Sequence, residues 1–503
     1  MIRALASAMP LKFLSCVRCC IAVICLLALG GCSVLGPDYD AQRATQVPNQ
    51  PQVWQPPVAH QGDLNALKDW WQQFNDPVLV ELLLAAQEQS NTMAQAALRI
   101  AQTRALLVGS NAAALPALSA SGGLTRGTYQ VGGPVVLATT SQAQLQTSWE
   151  LDLFGGLARS SEAARARLES QIANWHEARI SVAADTANLY TNYRACEQFV
   201  SLAQADARSR AQTAKLTEQL AASGFQSPAN AALARASAAE GQGRLVGQQT
   251  DCDLSIKALV AITGLTETDL RGRLIAQTGQ LPKPVMPQVQ QVPAQVLAQR
   301  PDLAGAEREL AAASADIGVR EADRLPRLSL LGSIGPLTFS TTGLTISATS
   351  WSIGPTLSMP VFDAGRRSAN LDAALVAYQA AEANYRTQAR RAVREVEDAL
   401  LRLNSLVARQ TEAETASSGY RQSLTASEDK FKFGLASVLD LEEVRRLSVN
   451  ADNMLASVRR DRVNAVIALY RAVGGGWTPA ESLTLSGLAQ TALKDTTLRT
   501  AKP

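Results

Sequence analysis

The sequence predicts a mixed α/β membrane protein made of two copies of one unit, each a helix, a β-hairpin and a long helical hairpin. Three observations carry that expectation: an internal repeat, a pair of alternating segments, and proline-free stretches far longer than an ordinary helix. The repeat has a register of 210 residues: Leu115-Pro116-Ala117-Leu118-Ser119 returns as Leu325-Pro326-Arg327-Leu328-Ser329, and Gly224 and Ser227 return as Gly434 and Ser437. Ala258-Leu259 with Gly264 likewise returns as Ala468-Leu469 with Gly474. Self-similarity at one fixed offset is the signature of a duplicated architecture.

The strands come from period-two patterning. From Gln144 to Leu153, the residues Leu145, Thr147, Trp149, Leu151 and Leu153 face one way, and Gln144, Gln146, Ser148, Glu150 and Asp152 the other. In the second unit Trp351, Ile353, Leu357, Met359 and Val361 alternate with Ser352, Gly354, Thr356 and Ser358. Partner strands start at Leu118 and Leu328. Four strands of ~10 residues result, the length that crosses an outer membrane when tilted. Beyond the N-terminus no apolar run reaches the ~18 residues a transmembrane helix needs, so a crossing must use strands. The competing reading is a half-buried sheet in a soluble protein. Four strands cannot close a barrel, and an open edge in lipid leaves backbone groups unpaired. Two chains would give eight strands with a filled interior, and three would give twelve with a lumen; the residues leave that choice open.

The helices hold most of the mass. No proline interrupts 156–222, and apolar positions recur by heptads at Leu168, Trp175, Val182, Leu189, Cys196 and Ala203. At ~1.5 Å per residue such a helix reaches ~100 Å. It should stop at Gly224, with Ser227 as N-cap and Pro228 in the first turn of a return helix whose seam is Ala231, Ala238, Leu245, Cys252 and Leu259. Cys196 and Cys252 lie equally far before and after Gly224, so an antiparallel hairpin sets them at one height. A disulfide is predicted there; the alternative is a pair of small buried thiols.

The N-terminus reads as an address. Arg3, Lys12 and Arg18 precede a short apolar run from Cys19 to Leu29, as in a secretory signal. Leu29-Gly30-Gly31-Cys32 then forms a lipobox in which Cys32 would carry the lipid (palmitate among its acyl chains), with Ser33 favouring sorting to the outer membrane. The alternative is an ordinary signal peptide with an incidental cysteine. Of 47 basic residues three lie in this leader, which leaves 44 against 44 acidic ones. A neutral mature chain excludes nucleic acid as a partner. The two histidines, His60 and His176, stand in no metal or catalytic pattern, and Gly474-Gly475-Gly476 lacks a phosphate-loop lysine. No enzyme and no cofactor is expected, and His176 reads as a polar helix-surface residue.

Several segments together resemble the TolC-like outer-membrane factors of tripartite efflux pumps, most closely the lipid-anchored NodT-type branch. They are 32–39 (CSVLGPDY), 70–77 (WWQQFNDP), 149–155 (WELDLFG), 300–303 (RPDL) and 360–365 (PVFDAG), spread over nearly all of the mature chain. Each motif is weak alone, and their order is specific. The resemblance implies a homotrimer whose twelve-stranded outer-membrane β-barrel, four strands per chain, continues into a long periplasmic α-helical barrel. It implies passive export of small molecules when docked to a periplasmic membrane-fusion adaptor and an inner-membrane pump of the resistance-nodulation-division type. A type I protein-secretion channel and a non-conducting envelope lipoprotein are the alternatives.

The same resemblance points to a periplasmic gate at Leu439, Asp440 and Glu443, where an acidic ring beside an apolar constriction would select cations. The plainer reading of Ser437 followed by Asp440 is a helix capping box. Phe431 and Ala436 stand where the family often has a tyrosine and an arginine. The expected organisation is a signal peptide at 1–31, a lipid-anchored tether at 32–76, and a first unit at 77–283 with β-hairpin 118–154 and helical hairpin 156–264. A second unit follows at 284–480 with β-hairpin 328–362 and helical hairpin 365–474, then a tail at 481–503.

Overall fold

The computed structural model describes residues 34–46, 70–130, 133, 135–284 and 299–477. The signal peptide, Cys32, His60 and the tail at 481–503 lie outside the described residues. The elements are α1 (Ala41–Ala44), α2 (Pro77–Gln89), α3 (Asn91–Ala113), β1 (Ala117–Tyr129), β2 (Val136–Leu151), α4 (Gly156–Ala222), α5 (Pro228–Thr263) and α6 (Glu267–Leu274). They continue as α7 (Pro301–Ala322), β3 (Arg327–Thr341), β4 (Leu344–Ser358), α8 (Arg366–Lys432) and α9 (Val438–Ala472). Helices α4 and α8 are each 67 residues long. The described residues divide into two compact units, one drawn from 34–46, 100–171 and 306–385, the other from the remainder.

The first unit holds the strands, which form one antiparallel sheet in the order β1-β2-β3-β4. The hairpins are therefore joined, through pairs such as Leu145 with Ile334 and Trp149 with Leu330. The strands run 13 to 16 residues, longer than the ~10 that spans lipid. The second strand of each hairpin also stops short of 154 and 362, at Leu151 and Ser358, and an aspartate that follows it caps the next helix. Asp152 accepts from the amides of Leu157 and Ala158 at 3.1 and 2.7 Å, and Asp363 from those of Gly365 and Arg367 at 3.1 and 3.2 Å.

The pairing register sorts the sheet into two faces, since directly opposed residues share a side. One face carries an exposed apolar band in successive rungs: Leu151, Leu328 and Leu357; Trp149 and Leu330; Leu118 and Ile353; Leu145, Ile334 and Trp351. Trp351 and Ile353 are 70% and 69% exposed. The opposite face at these heights is mainly hydroxyl and amide, with Leu331 as its apolar exception: Ser119, Gln146, Ser333 and Ser352, then Ser121, Gln144 and Ser350.

In this unit the segment after residue 33 is clamped down. Arg159 donates to the carbonyls of Leu35 and Gly36 at 3.0 and 3.3 Å and to Asp38 at 2.6 Å. Gly36 and Gly318 meet backbone to backbone, so a Cβ on Gly318 would stand 2.6 Å from the Leu35 carbonyl. The 34–39 stretch of the N-terminal motif is thus a docking strap.

In the second unit the 70–77 motif makes a 3₁₀ turn, Trp70–Phe74, then Asn75 at positive φ and Asp76 as N-cap of α2. Trp70 stacks on Tyr470 at 4.5 Å, and Tyr190 donates to Asp76 at 2.7 Å. In this unit the expected α4 seam is buried at Val182 and Cys196 and half-buried at Trp175 and Leu189, and the buried face is wider than one heptad position, taking in Ala173, Ile180, Ala187 and Arg194 as well. Small side chains bury more easily because they let backbones approach, and the bulkier seam residues flank them. His176 belongs to this interior, only 4% exposed, with Trp175 and Trp477 at ring distances of 5.0 and 5.8 Å, which corrects its reading as a surface residue.

Candidate functional site: the turn of the second helical hairpin

Helix α8 ends at Gly434, whose φ of 73° only glycine adopts without strain, and Leu435 donates back to the Lys430 carbonyl at 2.8 Å. Ser437 then caps α9. Its hydroxyl accepts from the Asp440 amide at 3.1 Å, and the Ser437 amide donates to the Asp440 carboxylate at 3.0 Å, so the capping box is present. The Ser437 hydroxyl also donates to the Asp440 carboxylate at 2.7 Å, and this bond first, with the one from the Ser437 amide second, holds the Asp440 carboxyl below its ordinary range. Glu443 is likewise held down by Arg446, which donates to it at 3.1 and 2.6 Å. Leu439 is 66% exposed.

The three candidate gate residues therefore stand together on the exposed first turns of α9. They line a groove of about 680 Å³ with Leu233, Glu240, Arg244 and Arg446. Within one chain each acid already has a partner: Asp440 its cap, Glu443 its arginine. At the equivalent turn of the first hairpin Ser227 caps Asn230 instead, and no acid stands there.

Behind this surface lies a buried charge network that the sequence reading missed. Glu442 accepts from Arg210 at 2.7 Å and from Ser237 at 2.6 Å, and is ion-paired with Arg445. Arg445, 1% exposed, also donates to Thr213 at 3.0 Å. Arg210 makes 2.9 and 3.0 Å contacts to Asp206, which Arg244 reaches at 3.1 Å. The network ties α4 and α5 to α9. The signal was in the heptads, for the seam through Cys196 and Ala203 next falls on Arg210, a charged residue at a core position. Phe431 is buried, in an apolar cluster with Ala214, Ala234, Val438 and Leu441, so no hydroxyl is called for at that position.

In the first helical hairpin, Cys196 of α4 and Cys252 of α5 are joined by a disulfide with Cα atoms 5.5 Å apart. Among the described residues no group of histidine, cysteine or acidic side chains could hold a metal ion. No described helix is long and apolar enough to cross a membrane.

Comparison with known proteins agrees with this anatomy. The sequence profile described as "Outer membrane efflux protein" matches twice, at residues 82–265 and 292–475. The chain is 30% identical to the toluene efflux pump outer membrane protein TtgI of Pseudomonas putida, over 91% of this chain and 98% of that one. It is 30% identical to nodulation protein T of Rhizobium leguminosarum bv. trifolii, over 90% and 96%. Its fold superposes on the open-state MtrE outer membrane channel of Neisseria gonorrhoeae with a TM-score of 0.70 at 25% identity, covering 89% of this chain and 99% of that one. With both matched segments covering most of its length, the chain belongs to the outer membrane efflux protein family.

Proposed function

We propose that this protein is the outer-membrane exit duct of a tripartite efflux system. Three copies close a twelve-stranded barrel continuous with a periplasmic helical barrel, and small toxic molecules pass through it passively. A periplasmic adaptor and an inner-membrane pump of the resistance-nodulation-division type supply the energy, and acylated Cys32 adds a lipid anchor. The observation that carries this reading is the sheet: four strands with an exposed apolar band on one face and unpaired edges at β1 and β4. Such edges are costly in lipid unless another copy pairs with them. The likeness to efflux outer-membrane proteins and the tandem profile match support it. Leu439, Asp440 and Glu443 form the inner constriction, where symmetry brings three copies of each acid together and Arg446 is the counter-ion to be displaced.

The test is native mass and single-channel conductance of protein extracted from outer membranes, alone and with Asp440→Ala/Glu443→Ala. A trimer with a small cation-selective conductance that rises in the variant is expected. A folded monomer without conductance would refute the duct, and equal conductance in both would remove these acids from the constriction.

A further inference from the structure

The two faces of the sheet exchange character near the hairpin tips. On the face with the apolar band, the rungs beyond Leu145, Ile334 and Trp351 turn mainly polar: Ser141, Thr338 and Ser347 beside the apolar Leu124, then Arg126, Thr139, Ser340 and Thr345. Hydroxyl pairs run across it, Thr338 with Ser347 at 3.1 Å and Ser340 with Thr345 at 3.0 Å. On the other face the serines and glutamines give way to Leu337, Phe339, Leu344, Ile346 and Tyr129. Tyr129 leans across β2 to meet Phe339 edge to face at 5.5 Å, and Thr140 donates to its hydroxyl at 3.2 Å. Ile346 and Leu344 remain 52% and 53% exposed. Pairing between β2 and β3 lapses at Gly335-Pro336, the level at which the exchange begins.

In an outer-membrane barrel the apolar band faces lipid and the other face lines the lumen. At ~3.4 Å per residue and ~40° tilt, the band from Leu151 to Gly122 is ~20 Å tall, close to the ~25 Å such barrels present to lipid. The polar rungs above it then stand in water outside the membrane. The apolar side chains behind those rungs point inward, where lipid cannot cover them and other copies of the chain can.

We propose that Tyr129, Leu337, Phe339, Leu344 and Ile346, repeated by each copy, form an apolar collar that narrows the outer mouth of the duct. It is a second barrier, distinct from the one at Leu439, Asp440 and Glu443. This rests on the trimeric-barrel reading. Twelve strands ~4.8 Å apart with ~40° tilt give a backbone radius of ~12 Å, and aromatic side chains reaching ~6 Å inward leave a passage of ~10 Å or less. An apolar passage of that width hinders water and hydrated ions, because a constriction with no polar partners dewets. Uncharged organic solutes pay less to enter it, so the collar favours them over ions at the exit.

The experiment compares single-channel conductance of the full protein carrying Asp440→Ala/Glu443→Ala with the same protein carrying Phe339→Ser/Ile346→Ser in addition. The collar predicts a further rise of about twofold as the passage widens and wets. Unchanged conductance would overturn the collar alone, whereas folded protein that conducts in neither form would overturn the duct as well. A milder pair guards against misfolding: Ile346→Cys and its neighbour Ser347→Cys on the opposite face, each treated with a charged, membrane-impermeant thiosulfonate. Conductance is expected to change on modification at 346 and not at 347; no effect at 346, or an effect at 347, would refute the assignment.

Discussion

Replacing Glu442 tests whether the buried charge network holds the two helical hairpins together. Its carboxylate is 14% exposed and faces two guanidiniums, Arg210 at 6% and Arg445 at 2%. Removing one partner of a buried ion pair costs about 3–5 kcal/mol, most of it the penalty of the charge left behind. Here the loss is smaller, since Arg210 keeps Asp206 at 2.9 Å, and Arg445 keeps Thr213 at 3.0 Å and Glu428 at 3.7 Å. We expect Glu442→Leu to lower the free energy of local opening at the start of α9 by about 2–3 kcal/mol, which is about 30- to 150-fold in hydrogen-exchange protection at 1.4 kcal/mol per decade. The assay is native-state exchange followed by mass spectrometry on peptides from 438–450, with strand peptides as internal control. A triple variant, Arg210→Met, Glu442→Leu and Arg445→Met, should recover much of the loss, because an apolar replacement leaves no stranded charge. A change below about threefold in Glu442→Leu, or an equal change in the strands, would refute the reasoning.

Three further outcomes follow from other parts of the structure. The Cys196–Cys252 bridge joins positions 56 residues apart, so reduction should lower stability against chemical unfolding by up to about 4 kcal/mol on the chain-entropy account, and Cys196→Ser/Cys252→Ser should abolish any response to reductant. Burial first, and then the nearby Asp302 charge, raise the Glu177 carboxyl above its ordinary value of 4.5. The folded state then binds more proton than the unfolded one, so wild-type stability falls as pH rises above about 4.5 toward the raised value. Glu177→Gln should therefore melt higher than wild type at pH 7, with the gap closing below pH 4.5, as read by thermal denaturation; a gap constant with pH would count against it. Gly318→Leu should drive a side chain into the Leu35 carbonyl and release the strap, so that trypsin cleaves at Arg43 faster while strand peptides keep their exchange protection; unchanged cleavage would show that the strap is not held there.

Local signals located the long helices, because a turn needs what its backbone demands. Gly224 and Gly434 each supply a positive φ, and Ser227 and Ser437 each cap a return helix. Period-two alternation found β2 and β4 but overshot their ends, since the strands stop at Leu151 and Ser358 and Asp152 already caps the next helix. The candidate acids were also legible as a short run after a turn. Glu442 was not, since a carboxylate among carboxylates gives no sign of which one faces inward until neighbouring helices fix the rotation of α9.

The sequence by itself determined the element types, the 210-residue register and the pairing height of two cysteines, all of which depend on spacing along one chain. Only the tertiary structure decided how wide a face of α4 is buried, that the two hairpins join into one sheet, and that its faces exchange polarity near the tips. Those properties depend on which residues stand opposite one another across strands and helices far apart in sequence, and no period within a single segment encodes that.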